Sequence, residues 1–243
     1  MWRAMMNFIH VAVAVLSLLS IGQSAPVSSC ESLIKPIEIN GTEKLLGKWT
    51  YIAESTTIPA SKLLTKMIVD SARVKMTAAE ESDAINVFHS QKMFGRCFTL
   101  TTKMTLENST LSIVQPFNSS EVLLTTGCPD CRAAYIKLGI GGRTYSGLQL
   151  LSRRNKVTAA ELEEFTKQVE CLNLPAPAIL DPEKGFCPDE SHSQETEVVD
   201  LTNIMNDLGS EVFSHLDRII NSEGGMQALF KMISNGLAGL KEN

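Results

Sequence analysis

Histidine, excess basic charge and long apolar segments are all scarce in this sequence. It has four histidines in 243 residues, and the His-Glu-x-x-His and Gly-x-Ser-x-Gly motifs of zinc proteases and serine hydrolases are missing. The net charge of −5 argues against a nucleic-acid binder, because such proteins neutralise phosphates with lysine and arginine. No apolar run after the N-terminus is long enough to span a bilayer. Composition therefore predicts neither an enzyme, nor a nucleic-acid-binding protein, nor an integral membrane protein.

The N-terminus has the pattern of a secretory signal peptide. Arg3 precedes an almost unbroken apolar run over 11–21, and small residues then stand at Gly22 and Ser24. This run is too short to span a membrane comfortably, so we expect cleavage after Ser24, with a signal anchor as the alternative. Residues 1–24 are thus predicted to be a signal peptide, and the mature protein to be soluble, secreted and extracellular.

Cysteines and sequons agree with the secretory route. All six cysteines follow Ser24, and an even number in an oxidising compartment favours three disulfides, although spacing alone leaves 15 pairings open. Three Asn-x-Ser/Thr sequons fall where turns or loops are expected, and they predict glycosylation of Asn40, Asn108 and Asn118.

The middle of the chain alternates between apolar and polar residues, with turn residues between the runs. The predicted strands begin at Gly47 and then cover about 68–76, 84–89, 97–106, 110–115, 121–126, 132–138 and 144–151. Eight closely spaced strands joined by hairpins predict a mainly β protein, an antiparallel barrel or sandwich.

The C-terminal third has helical periodicity instead. Thr158, with Glu161 three residues later, forms a capping box for a helix over Ala159–Cys171. Apolar residues then recur at steps of three and four from Val198 to Ile219, and a second such stretch follows Gly224-Gly225. We therefore divide the chain into a barrel domain (25–190) and an amphipathic helical tail (191–243).

Few residues suggest a cofactor or a metal ion. The glycines near 139–142 lack the third member of a dinucleotide fingerprint and are typical of a hairpin turn. Cys128-Pro-Asp-Cys131 could be a redox site or half of a zinc site. It has no following helix and no second ligand pair, which favours a small disulfide that closes a turn. No cofactor and no metal are predicted.

Several motifs together resemble one family. Gly47-Lys-Trp49 opens the first strand about 15 residues after a lone cysteine, and Arg153 or Arg154 follows the last strand, as in lipocalins. The segment 162–175 with Cys187 after it, and Cys97 running into Glu107-Asn-Ser-Thr110, are similar to orosomucoid. Over about 30–190 the chain resembles the orosomucoid-like lipocalins of fish, which bind saxitoxin, tetrodotoxin or tributyltin.

This resemblance implies an eight-stranded antiparallel lipocalin barrel with a helix on its C-terminal side. It also implies the disulfides Cys30–Cys171 and Cys97–Cys187, whereas Cys128–Cys131 has no counterpart carried over from the family. The chain departs from the family at two places. Ile113 stands where mammalian orosomucoids have a basic cavity residue, and the tail after Glu190 exceeds the usual family end.

Alternation and the resemblance together predict which side chains point into the barrel, where some would bind a ligand and others would only fill the closed end. They are Trp49, Tyr51, Asp70, Ala72, Val74, Met76, Val87, His89, Ile136, Leu138, Gln149 and Leu151. A carboxylate on this apolar face is unfavourable unless it is paired or hydrated. Asp70 is therefore either a rim residue, a residue at a register break, or the counter-charge for a cationic ligand.

The predicted function is to bind and carry a small hydrophobic or amphipathic ligand, such as a cationic toxin alkaloid or an organotin. An eight-stranded barrel has room for one such molecule, and this function needs no catalytic group. The alternative is an apolipoprotein-like protein that acts on lipid surfaces through its C-terminal helices. The acidic polar face of these helices favours packing against the barrel or a protein partner instead.

Overall fold

The computed structural model describes residues 29–114, 118–140, 142–180, 182–188 and 198–203, and residues 218–219, 221–222, 224–225, 227–228 and 231. The predicted signal peptide lies outside these residues. In chain order the elements are α1 (Cys30–Leu33), β1 (Gly47–Thr56), α2 (Ser61–Ile68), β2 (Val69–Ala78), β3 (Ala84–Met93), β4 (Arg96–Glu107), β5 (Thr110–Ile113), β6 (Asn118–Leu124), β7 (Cys131–Ile140), β8 (Arg143–Ser152), α3 (Ala159–Cys171), β9 (Ala178–Ile179), a 3-10 turn (Pro182–Lys184) and β10 (Val198–Asp200).

Strands β1 to β8 close into an antiparallel barrel. Each strand pairs with the next in the chain, and β8 returns to pair with β1. The pairing of β4 with β5 is short, from Thr105–Glu107 to Thr110–Ser112. The predicted eight-stranded barrel is confirmed. Among the described residues no helix is long and apolar enough to cross a membrane.

Strand alternation sorts the apolar side chains into an inner and an outer cluster. The inner cluster fills part of the barrel and contains Leu45, Trp49, Val74, Met76, Ile85, Val87, Met104, Leu111, Ile113, Leu123, Ala134 and Leu151. The outer cluster lies on one outside face of the barrel, beneath α3, and contains Ile52, Ala53, Leu124, Ala133, Leu148, Leu150, Phe165 and Val169.

Helix α3 begins with the predicted capping box. The Thr158 hydroxyl accepts from the backbone N–H of Glu161 at 3.3 Å, and the Glu161 carboxylate accepts from the backbone N–H of Thr158 at 2.7 Å. The buried amide of Gln168 donates to the carbonyls of Leu33 and Thr125, at 2.8 and 2.7 Å. These two bonds attach the helix to α1 and to the end of β6.

Three disulfides are present, in the pairings that the family resemblance implied for four cysteines and that the Cys128-Pro-Asp-Cys131 motif predicted for the other two. Cys30–Cys171 joins α1 to α3, Cys97–Cys187 joins β4 to the segment after the 3-10 turn, and Cys128–Cys131 closes the turn before β7. The described residues contain no free cysteine.

The helix predicted from Val198 onward is wrong at its start. Val198–Asp200 is a strand that pairs in parallel with Cys97–Thr99 of β4. The reason is that β5 covers only the far end of β4, which leaves backbone groups near Cys97 free to pair. Residues 218, 219 and 221 are helical, while most of the predicted tail helices lie outside the described residues.

Candidate functional site

The barrel encloses an inner cavity of about 210 Å³ whose lining is mostly apolar. Alternate residues of a strand point inward, and each of the strands β1 to β8 contributes lining residues to the cavity. Its lining residues are Tyr51, Val74, Met76, Val87, His89, Met104, Ile113, Ser119, Glu121, Arg132, Ile136, Leu138, Gln149 and Leu151.

An outer chamber of about 160 Å³ adjoins the inner cavity and shares Tyr51, His89 and Gln149 with it. A register shift between Tyr51 and Ala53 places Ile52 and Ala53 together in the outer cluster and returns Glu54 to the inside, opposite Gln149. The Thr65 hydroxyl of α2 donates to the Glu54 carboxylate at 2.5 Å. Helix α2 therefore borders this chamber, between β1 and β2.

Trp49 and Arg153 close the end of the barrel where β1 begins. The Arg153 guanidinium lies 3.6 Å from the centre of the Trp49 ring and donates to the carbonyls of Lys48 and Leu46, at 3.0 and 2.6 Å. Gly47 has a φ of +98°, and a Cβ there would lie 2.7 Å from the Arg153 guanidinium. The Gly-x-Trp motif thus makes room for the arginine that covers the tryptophan.

An ion pair lies inside the inner cavity. Arg132 on β7 is 5% exposed and donates to the carboxylate of Glu121 on β6, which is 9% exposed. The Arg132 guanidinium also lies 5.3 Å from the centre of the Trp49 ring. Burial, followed by the nearby carboxylates of Glu121 and Glu54, raises the pKa of the Tyr51 phenol, which therefore stays neutral.

His89 is the histidine that both chambers share. Its Nε2 lies 3.1 Å from the hydroxyl of the buried Thr102 on the neighbouring strand. Burial lowers the pKa of His89 to about 4. The ring is therefore uncharged at neutral pH and is a weak base there.

Most of the residues predicted to point inward do line the inner cavity. They are Tyr51, Val74, Met76, Val87, His89, Ile136, Leu138, Gln149 and Leu151. Ala72 lines the outer chamber instead, and Trp49 belongs to the packed closed end.

Asp70 is the exception, and its predicted place inside the barrel is wrong. A register shift between Val69 and Ser71 turns its side chain out of the inward series. Its carboxylate accepts from the backbone N–H of Gly95 at 2.8 Å and lies 3.2 Å from the Lys184 ammonium. Of the three alternatives given for Asp70, the structure shows the register break.

Sequence reasoning missed the charged residues of the site. Arg132 lies four residues before Ile136, and Glu121 lies two residues after Ser119, so alternation itself would have placed them inside. Met104 and Ile113 line the cavity by the same rule. Glu54 could not be found in this way, because the register shift at Ala53 reverses the alternation.

The Cys128-Pro-Asp-Cys131 turn holds a disulfide and is crossed by Arg154. This side chain forms ion pairs with Asp130 at 2.8 Å and Glu161 at 2.7 Å, and its Nη2 lies 3.1 Å from the Cys128 sulfur. The ligand atoms of these two acids and two cysteines lie within 4.8 Å of one another. Because the two sulfurs are bonded to each other and are not free thiolates, and because Arg154 pairs with both acids, these contacts close the turn and do not form a zinc site of the cysteine type.

Comparison with known proteins supports the fold. No family model matches the sequence, and no curated protein matches it. Among solved structures, the chain is similar to the siderocalin Ex-FABP, which is described as functioning through dual ligand specificities. The two share 15% identity with a TM-score of 0.51, over 62% of this chain and 97% of the other. At this identity the likeness shows the fold alone. The chain has the lipocalin fold, a closed eight-stranded barrel followed by a helix.

Proposed function

We propose that this chain is a secreted glycoprotein that binds and carries one small hydrophobic or amphipathic molecule inside its barrel. The observation that carries the proposal is the inner cavity of about 210 Å³, with a mostly apolar lining and a few polar groups. Small-molecule sites in proteins have this character. The adjoining outer chamber gives such a molecule a route towards the α2 side of the barrel.

Secretion and glycosylation rest on three features. The N-terminal 24 residues have a signal-peptide pattern, and the described cysteines are all in disulfides, which persist in oxidising compartments. Asn40, Asn108 and Asn118 are all exposed, as a glycan requires.

A carrier function fits the chemistry of the cavity better than catalysis does. His89 is the histidine of the lining, its described hydrogen-bond partner is Thr102, and its lowered pKa makes it a weak base at neutral pH. The two charged residues of the inner cavity, Glu121 and Arg132, form an ion pair with each other.

The family resemblance offers toxin alkaloids and organotins as ligands. Asp70 gives no support to a cationic ligand, because its carboxylate is engaged with Gly95 and Lys184 outside the inner cavity. The carboxylate that reaches the outer chamber is Glu54, which accepts from Thr65.

The neutral fluorescent dye N-phenyl-1-naphthylamine tests the proposal. We expect saturable binding of one dye per chain, with emission shifted to the blue. Ile136→Trp, which fills the inner cavity, should weaken binding at least tenfold. Lys137→Trp, on the outward face of the same strand, should leave the affinity unchanged. Equal effects of the two substitutions, or no saturable binding by the unmodified chain, would refute a ligand site in the barrel.

A further inference from the structure

The ion pair inside the inner cavity is held by contacts within the protein. Arg132 donates from Nη2 to Glu121 and from Nη1 to the sulfur of Met76, at 3.1 Å in the second case. Its Nε is buried, has no hydrogen-bond partner and belongs to a side chain that lines the cavity. This N–H is closed off by protein atoms, so the contacts that hold the guanidinium in place are those with Glu121 and Met76.

The charges of the inner cavity are already balanced. Glu121 carries one negative charge and Arg132 one positive charge, and both are at least nine-tenths buried. A charged ligand group beside this pair would be a third charge without a partner, in a region of low dielectric where desolvation is unfavourable. An uncharged ligand group adds no third charge and leaves the pair undisturbed.

The other ionisable groups that line the two chambers do not change this balance inside the inner cavity. Tyr51 and His89 are neutral at physiological pH. Glu54 lies in the outer chamber and accepts from Thr65. Arg73 borders the outer chamber, but its guanidinium stacks on Phe186 at 3.5 Å.

We infer that the barrel selects apolar molecules that carry no net charge, because the buried Glu121–Arg132 pair already balances the charge of the inner cavity. The apolar body of the ligand then lies among the aliphatic lining residues, such as Val87, Ile113 and Leu138. The inference rests on the proposed function, which it narrows from any small hydrophobic molecule to a neutral one. It replaces Asp70 with the Glu121–Arg132 pair as the determinant of ligand charge.

Three probes with the same ten-carbon chain test this inference: 1-decanol, decanoate and decylammonium. Each is titrated below its aggregation limit at pH 7.5 against the full chain carrying bound N-phenyl-1-naphthylamine. We expect 1-decanol to displace the dye at least roughly tenfold more effectively than either ion, because each ion would bring an unbalanced charge beside the buried pair.

Matched variants assign the preference to the pair. Glu121→Gln leaves the Arg132 charge unbalanced, so decanoate should gain at least tenfold relative to 1-decanol. Arg132→Gln leaves Glu121 unbalanced, so decylammonium should gain instead. Glu54→Gln, in the outer chamber, should leave the ranking of the three probes unchanged.

The unmodified chain alone can refute the inference, so the test survives if a variant does not fold. A preference for either ion, or equal displacement by all three probes, would overturn the selection of neutral ligands while leaving the carrier function intact. If Glu54→Gln changed the ranking and folded Glu121→Gln did not, the pair would not be the determinant. Failure of the dye itself to bind would instead overturn the proposed function.

Discussion

Loss of the Cys97–Cys187 disulfide should destabilise the barrel far more than loss of Cys128–Cys131. The first bond closes a loop with a sequence separation of 90 and joins a fully buried residue of β4 to the segment that precedes β10. For a loop of this length the chain-entropy model gives about 4.6 kcal/mol of stabilisation. For the separation of 3 between Cys128 and Cys131 the same expression gives about 1.6 kcal/mol.

The free energy of unfolding measures this difference. Urea unfolding followed by circular dichroism should show a loss of about 4–5 kcal/mol when Cys97 and Cys187 are both replaced by Ala, and a loss below about 2 kcal/mol when Cys128 and Cys131 are. The corresponding fall in melting temperature for the first variant is roughly 10–18 °C for a domain of this size.

Equal losses in the two variants would show that chain entropy is not what these bonds contribute. A loss below about 1 kcal/mol for the Cys97–Cys187 variant would have the same meaning. Replacing both cysteines of a pair, and not one, keeps a free thiol from forming new disulfides during the measurement.

Three further results are expected. Arg132→Met should cost about 3 kcal/mol of stability because it leaves Glu121 buried and unpaired, whereas Arg132→Met with Glu121→Leu should restore most of it; equal urea midpoints would contradict this. His89 binds a proton at a pKa of about 4 when folded but near 6.5 when unfolded, so its contribution should lower the stability by about 3 kcal/mol between pH 7 and 4, and His89→Gln should flatten that slope in the same urea titration. Phe165→Ala should cost about 3–5 kcal/mol yet leave dye affinity unchanged, since Phe165 lies in the outer cluster; a large loss of affinity in the folded variant would contradict this.

The barrel strands could be predicted because their signals are local. Turn residues such as Glu107-Asn-Ser109 stand between them, and the alternation in β2 from Ala72 to Met76 survives in the structure. The capping box of α3 is equally local, since Thr158 and Glu161 are three residues apart. Alternation predicts both that a segment is a strand and which of its faces is buried, and the capping box predicts where the helix begins.

The features that were missed depend on contacts distant in the chain. Helix α2 is only eight residues long, and its one buried residue, Thr65, bonds to Glu54 across the loop. The strand at Val198 forms because an edge of β4 is free, which overrides a helical period in its sequence. The local sequence around Val198 does not reveal the free edge of β4, and the local sequence around Thr65 does not reveal its partner Glu54.

The two register shifts have the largest consequence for function, because each reverses which face a carboxylate occupies. Strict alternation would turn Glu54 outward and Asp70 inward. The shift after Tyr51 brings Glu54 inside, and the shift after Val69 turns Asp70 out towards Lys184. A prediction from strict alternation therefore places the wrong acid inside the barrel. In β6 and β7, where the register is regular, the same rule does place Glu121 and Arg132 together inside, and it is their mutual neutralisation that makes an uncharged ligand the expected occupant.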